Sequence, residues 1–96
     1  MFKLNLACYF RKRFRNYTKT DQNLKKKILK ALFLLEKNPY NPVLKTHKVV
    51  TKRYGKKRAS KATNDLRIIW EFNNNEVNII DVLDLGGHSG KDKVYN

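Results

Sequence analysis

A histidine follows two glycines near the end of the chain, in Leu85-Gly86-Gly87-His88-Ser89-Gly90-Lys91-Asp92-Lys93-Val94-Tyr95. That run holds an imidazole, two ammonium groups and a phenol, which suit acid–base work on a phosphodiester. A second histidine stands in Leu44-Lys45-Thr46-His47-Lys48. Cleavage of RNA by its own 2′-hydroxyl needs two proton transfers, one away from that hydroxyl and one onto the departing 5′-oxygen. An imidazole, with an ordinary pKa of about 6.5, serves in either role. Cations such as Lys91 or Arg67 stabilise the negative charge that builds on the phosphoryl oxygens. Taken alone, each histidine reads equally well as a hydrogen-bonded surface residue.

Arg67 interrupts Asp65-Leu66-Arg67-Ile68-Ile69-Trp70, where an all-apolar strand is the simpler choice. Its guanidinium must leave the core and meet an anion. A salt bridge to Asp65, Glu71 or Asp81 is one outcome and a phosphate clamp is the other. Asp81 reads as an orienting partner for a cation. Trp70 and Phe72 fall in the apolar phase and read as core, so Tyr40, Tyr54 and Tyr95 are the better candidates for contact with bases.

The charge balance narrows the partners. Lys and Arg number 22 against 8 Asp and Glu, a net charge of +14 with neutral histidines. Such self-repulsion in 96 residues is relieved by a polyanion or an acidic protein, and nucleic acid comes first. The basic side chains of the first helix, Arg11, Lys12, Arg13 and Arg15, read as a solvated face, as do the lysines of the second. No Cys/His set has metal-ligand spacing and no glycine-rich loop has nucleotide-binding form, so neither metal nor cofactor is expected. The lone Cys8 reads as a buried thiol, and an intracellular, cytoplasmic chain with no membrane partner is expected.

The elements that must position these groups follow from periodicity. Phe2, Leu4 and Leu6 alternate as a strand. Phe10, Phe14 and Tyr17 mark a short helix, and Leu24, Ile28, Ala31, Leu32 and Leu35 a second, capped by Thr20 or Asp21 and stopped at Asn38-Pro39. The two form a hairpin. Beyond Pro42 the period changes to two. An extended region begins at Lys48-Val49-Val50, and Lys56 to Thr63 alternates long basic side chains with small ones. Leu66 to Phe72 follows, then a turn at Asn73-Asn74-Asn75 and a returning strand from Val77 to Leu85, apolar enough to be central. The expected fold is α+β, one domain over 1–96, with two helices on one face of the sheet and the other face partly open.

In their order and spacing, Asn38-Pro39, Leu44 to Val49, Asp65 to Trp70, Val77 to Leu85, Gly87-His88-Ser89 and a closing Tyr95 carry a resemblance over nearly the whole chain. The sequence resembles the RelE-type toxins of the RelE/ParE superfamily, from bacterial type II toxin–antitoxin modules, and within them the YafQ-like branch. The resemblance implies a RelE-like fold, β-α-α-β-β-β, with a helical hairpin on a small antiparallel sheet. It implies metal-independent cleavage of mRNA in the ribosomal A site, leaving a 2′,3′-cyclic phosphate, with ribosomal RNA and a cognate antitoxin as partners.

On that resemblance His47, Arg67, His88 and Tyr95 are the catalytic candidates, and Lys45, Lys48, Arg58, Asp65 and Lys91 the substrate-binding ones. Tyr95 stands further from His88 than the family's terminal aromatic does, and the intervening residues bring Lys91 into consideration. Ser60 or a neighbour occupies the place of the branch's other histidine. ParE-like toxins share the fold and block DNA gyrase, and a non-catalytic RNA- or protein-binding relative also fits. Histidines at both candidate positions favour the nuclease.

Overall fold

The computed structural model describes residues 1–87. Strand β1 (Lys3–Leu6) leads into helices α1 (Cys8–Thr18) and α2 (Gln22–Lys37). A 3-10 turn (Pro42–Leu44) precedes β2 (His47–Thr51), β3 (Gly55–Lys61), β4 (Leu66–Phe72) and β5 (Ile79–Gly87). The sheet order is β1-β5-β4-β3-β2, with β1 parallel to β5 and every other pair antiparallel. The expected fold is therefore present, with four strands after the helices because the basic stretch forms both strands of a hairpin, β2 and β3. β5 lies between β1 and β4, as its apolar character requires.

Asp21 caps α2, its Oδ1 accepting from the Leu24 amide at 3.0 Å. Replacing it with alanine is expected to cost about 1 kcal/mol of stability in chemical denaturation. Ile28, Ala31, Leu32 and Leu35 form the buried stripe, and Asn38 ends the helix in an extended conformation before Pro39. These side chains pack with Phe10 and Leu44 against Leu66, Ile68, Trp70, Ile80, Val82 and Leu85 of the sheet. The alternation of β4 thus sends Leu66, Ile68 and Trp70 to the helices and Arg67, Ile69 and Glu71 to the other side.

Four expectations need correction. Cys8 is exposed, because the strand pattern stops at Leu6 and Cys8 opens a helix that buries Phe10. Among the described residues Asp81 orients no cation: its carboxylate accepts from the side-chain amides of Asn5 (3.0 Å) and Asn73 (3.1 Å). Arg13 does not belong to a solvated face, since it turns toward β5 and pairs with the buried Asp84 at 3.4 Å. The returning strand also begins at Ile79, not Val77, because Asn73 Oδ1 accepts from the amides of Asn75 and Glu76 and holds a wider turn.

Ser60 is fully buried on the helix side. Its Oγ accepts from Trp70 Nε1 at 2.7 Å and shares a 2.6 Å bond with the Thr46 hydroxyl. Ser60 therefore anchors the core tryptophan. Ser60→Ala leaves that indole N–H unsatisfied in the core, an expected loss of about 1–3 kcal/mol measured by urea unfolding.

Candidate functional site

Cross-strand register places residues on the face away from the helices. His47 pairs with Ala59 and Ala59 with Ile69, while Lys61 pairs with Arg67 and Arg67 with Gly86. His47, Lys61 and Arg67 therefore share the open face, around a small apolar floor built on Ala59 and Ile69. His47 and Arg67 stand two strands and two residues apart, roughly 12 Å between backbones at about 4.8 Å per strand and about 3.3 Å per residue.

The chain before β2 fixes His47. Asn41 caps the 3-10 turn through its side chain, and Lys45 then adopts a left-handed conformation (φ 48°) that is unusual for a residue with a Cβ. That twist turns the Lys45 carbonyl onto His47 Nδ1 at 2.9 Å. A carbonyl only accepts, so Nδ1 carries the hydrogen and the lone pair of the neutral ring sits on Nε2. The His47 side chain is exposed.

Arg67 is half-buried, and its Nη1 donates to the carbonyls of Thr63 (2.8 Å), Leu66 (3.1 Å) and Asn64 (3.2 Å). Among the described residues it pairs with no carboxylate, since Glu71 is taken by Lys57 at 3.1 Å and Asp81 by two asparagines. Its register partner is Lys61, a residue not singled out in the sequence, which also lines a hollow against α2. The signal was the two-residue alternation from Lys57 through Ala59 to Lys61, which the short 62–65 turn sets in phase with Arg67. Gly86, beside Arg67 on β5, presents no side chain and is itself buried.

The other candidates separate. Lys48 and Arg58 pair with each other and, by alternation, face the opposite side from His47. Arg58 lies over the rings of Phe72 (5.0 Å) and Trp70 (5.8 Å), and its Nε donates to the Tyr40 hydroxyl at 3.0 Å. Lys45 is exposed just before β2, and Asp65 is exposed in the β3–β4 turn. A shallow hollow of ≈ 990 Å³ runs along the β2–β3 hairpin, lined by His47, Lys48, Val49, Val50, Lys56, Lys57 and Arg58. Arg67 lies outside it. His88, Lys91 and Tyr95 fall outside the described residues.

A second polar group at the far side of the open face was not foreseen. Arg13 Nη2 donates to the Tyr9 hydroxyl at 3.2 Å and Nη1 to the Leu85 carbonyl at 3.4 Å, while Asp84 accepts from the Leu85 amide. The β2–β3 turn reaches over to join it. Gly55 (φ +76°) lets that turn close, Tyr54 donates to the Leu83 carbonyl at 3.3 Å, and the Arg53 guanidinium sits 4.4 Å above the Tyr9 ring. The hydrogen bond from Arg13 and its charge hold the Tyr9 phenol below its ordinary pKa, whereas burial and then Asp84 push that of Tyr54 up. Arg13 thus ties α1 to the end of β5 that lies beside Arg67. Arg13→Ala strips a nearly buried carboxylate of this partner, and thermal unfolding is expected to show a loss of about 2–3 kcal/mol, less than for a wholly buried pair because Arg13 is partly exposed.

Solved structures share this fold. A YoeB/ParE toxin from Agrobacterium tumefaciens superposes with a TM-score of 0.72 at 14% identity, covering 92% of this chain and 100% of that one. This is the RelE/ParE toxin fold. YafQ from E. coli strain BL21(DE3) matches with a TM-score of 0.62 at 18% identity, over 91% of this chain and 93% of its own. The YoeB–YefM complex from Staphylococcus aureus matches with a TM-score of 0.66 at 12% identity, over 88% and 94%. No protein-family model matches the sequence, and no curated protein does. Among the described residues no three His, Cys, Asp or Glu side chains gather as metal ligands, and no helix is long and apolar enough to cross a membrane.

Proposed function

We propose that this chain is the toxin of a type II toxin–antitoxin module, an endoribonuclease that cuts mRNA in the ribosomal A site by side-chain acid–base chemistry. The observation that carries the reading is that His47 and Arg67 share the sheet face away from the helices in a strongly basic chain with the RelE/ParE toxin fold. In the proposed step one imidazole takes the proton of the ribose 2′-hydroxyl. The 2′-oxygen bonds to phosphorus, the bond from phosphorus to the 5′-oxygen breaks, and a second group protonates that oxygen. The products are a 2′,3′-cyclic phosphate and a 5′-hydroxyl.

The His47 tautomer supports a base role through Nε2. His88 is the candidate for the second proton transfer, with Tyr95 and Lys91 as further candidates from the same tail. Arg67, whose guanidinium is held by carbonyls and not by a carboxylate, supplies charge to the pentavalent phosphorus oxygens. Lys61 beside it adds to the same field. The basic hollow along the β2–β3 hairpin suits the flanking RNA backbone, with Lys48 and Arg58 in its lining as phosphate contacts, and Lys45 before β2 and Asp65 in the β3–β4 turn as further substrate-binding candidates. The S. aureus complex of a similar fold supports a cognate antitoxin as partner.

The test pairs two assays on the purified protein: cleavage of mRNA on programmed ribosomes, and DNA supercoiling by gyrase. Ribosome-dependent cuts with cyclic-phosphate ends, and untouched supercoiling, are the expected outcome. Inhibited gyrase with intact mRNA would replace the nuclease with a gyrase inhibitor.

A further inference from the structure

Where the β2–β3 turn meets α1, two guanidinium groups attend one ring. Arg53 sits 4.4 Å from the centre of the Tyr9 ring and Arg13 sits 5.2 Å from it. Arg13 is committed to the fold, since it pairs with Asp84 and donates to the Tyr9 hydroxyl and the Leu85 carbonyl. Arg53 is exposed, and among the described residues no carboxylate pairs with it. Its guanidinium therefore has the ring behind it and solvent in front. Tyr9 also lines a hollow of ≈ 540 Å³ along α1, together with Cys8, Arg11, Lys12 and Arg15. Helix α1 carries no acidic residue, and none lines the hollow. The stacked pair and the basic hollow thus adjoin at Tyr9.

We infer that this corner holds an unpaired nucleotide of the RNA substrate, its base stacked on the Arg53–Tyr9 pair and the neighbouring phosphates on Arg11, Lys12 and Arg15. Calling that RNA the substrate rests on the toxin reading; the stacking chemistry does not. Arginine planes and aromatic rings are the surfaces on which proteins stack unpaired bases, with a cationic track beside them for the backbone. A guanidinium already backed by a tyrosine is ordered before the base arrives, so less side-chain freedom is lost on binding. An acidic peptide fits less well. Such an interface centres on a large apolar anchor, and among the described residues none of the exposed large apolar side chains lines this corner. The same lack disfavours a membrane surface.

The probe is a decaribonucleotide with 2′-O-methyl sugars, which lacks the attacking hydroxyl, titrated into the full chain and followed by fluorescence anisotropy. A second decamer has the same backbone and charge but no bases. Cys8, exposed and the chain's one cysteine, reports occupancy of the hollow through its rate of alkylation by iodoacetamide. The base-bearing strand should bind about tenfold or more tightly than the abasic one, and should slow alkylation by about fivefold or more. Arg53→Ala and Arg53→Lys should each weaken the base-bearing strand about tenfold, lysine because it keeps the charge without the plane, and should move the abasic strand by less than about threefold. Tyr9→Phe keeps the ring and should bind within about twofold of wild type. Equal binding of the two strands, an Arg53→Lys variant that binds like wild type, an unprotected Cys8 or no binding at all would each overturn the inference. A polyglutamate peptide that displaces the RNA and protects Cys8 more strongly would overturn it in favour of a protein partner. The strand is never cut, so failure of the nuclease reading leaves this outcome legible.

Discussion

Changing His47 to alanine lowers ribosome-dependent mRNA cleavage by about 10²–10⁴-fold, the usual contribution of a positioned acid or base. The side chain is exposed, and among its contacts is the one to the Lys45 carbonyl, so the variant keeps its fold and its thermal midpoint. A loss of this size with native stability assigns the effect to chemistry. His47→Gln sharpens the point, since it preserves polarity and much of the volume but offers no nitrogen that titrates near neutrality. If His47→Gln cleaves at the wild-type rate, the imidazole has no part in proton transfer.

Arg67→Ala is the second large effect, with an expected fall of about 10²–10³-fold in single-turnover cleavage, as for other groups that stabilise charge in the transition state. Arg67→Lys recovers only part of it. A lysine cannot reproduce the planar fork that holds the Thr63, Asn64 and Leu66 carbonyls, so its charge is less fixed in space. Ribosome binding changes far less than the cleavage rate, because one cation among 22 Lys and Arg contributes little to overall attraction. Equal losses in binding and rate would make Arg67 a docking residue.

The sequence revealed those parts of the molecule that depend on neighbours along the chain. The α2 stripe from Leu24 to Leu35, its Asp21 cap and its stop at Asn38-Pro39 are local patterns, and the helix follows them. The alternation in Leu66 to Phe72 placed Trp70 in the core and Arg67 outside it. What stayed hidden depends on contacts between distant segments. Nothing near Arg13 announces that Asp84, in a different element, is its partner, so the arginine looked solvated. Ser60 looked like a vacant catalytic position until the Trp70 indole was found bonded to it.

Lys48 and Arg58 illustrate another limit. Both stand close in sequence to His47 or in its partner strand, yet a single residue step in a strand reverses the face. Composition marked the whole hairpin as basic, but only register could divide its cations between the open face and the ring cluster of Tyr40, Trp70 and Phe72. Cys8 was misread because the alternation of β1 seemed to continue, whereas the chain turns into a helix two residues after Leu6.

The most direct test of the common site is a structure of this protein on a programmed ribosome, with a 2′-deoxy nucleotide blocking cleavage in the A site. The scissile phosphate should lie on the open face of the sheet, with His47 Nε2 within hydrogen-bond reach of the 2′ position and the Arg67 guanidinium on a phosphoryl oxygen. A phosphate seated on the helix side, or one that leaves His47 and Arg67 on opposite sides of the RNA without contact, would contradict it.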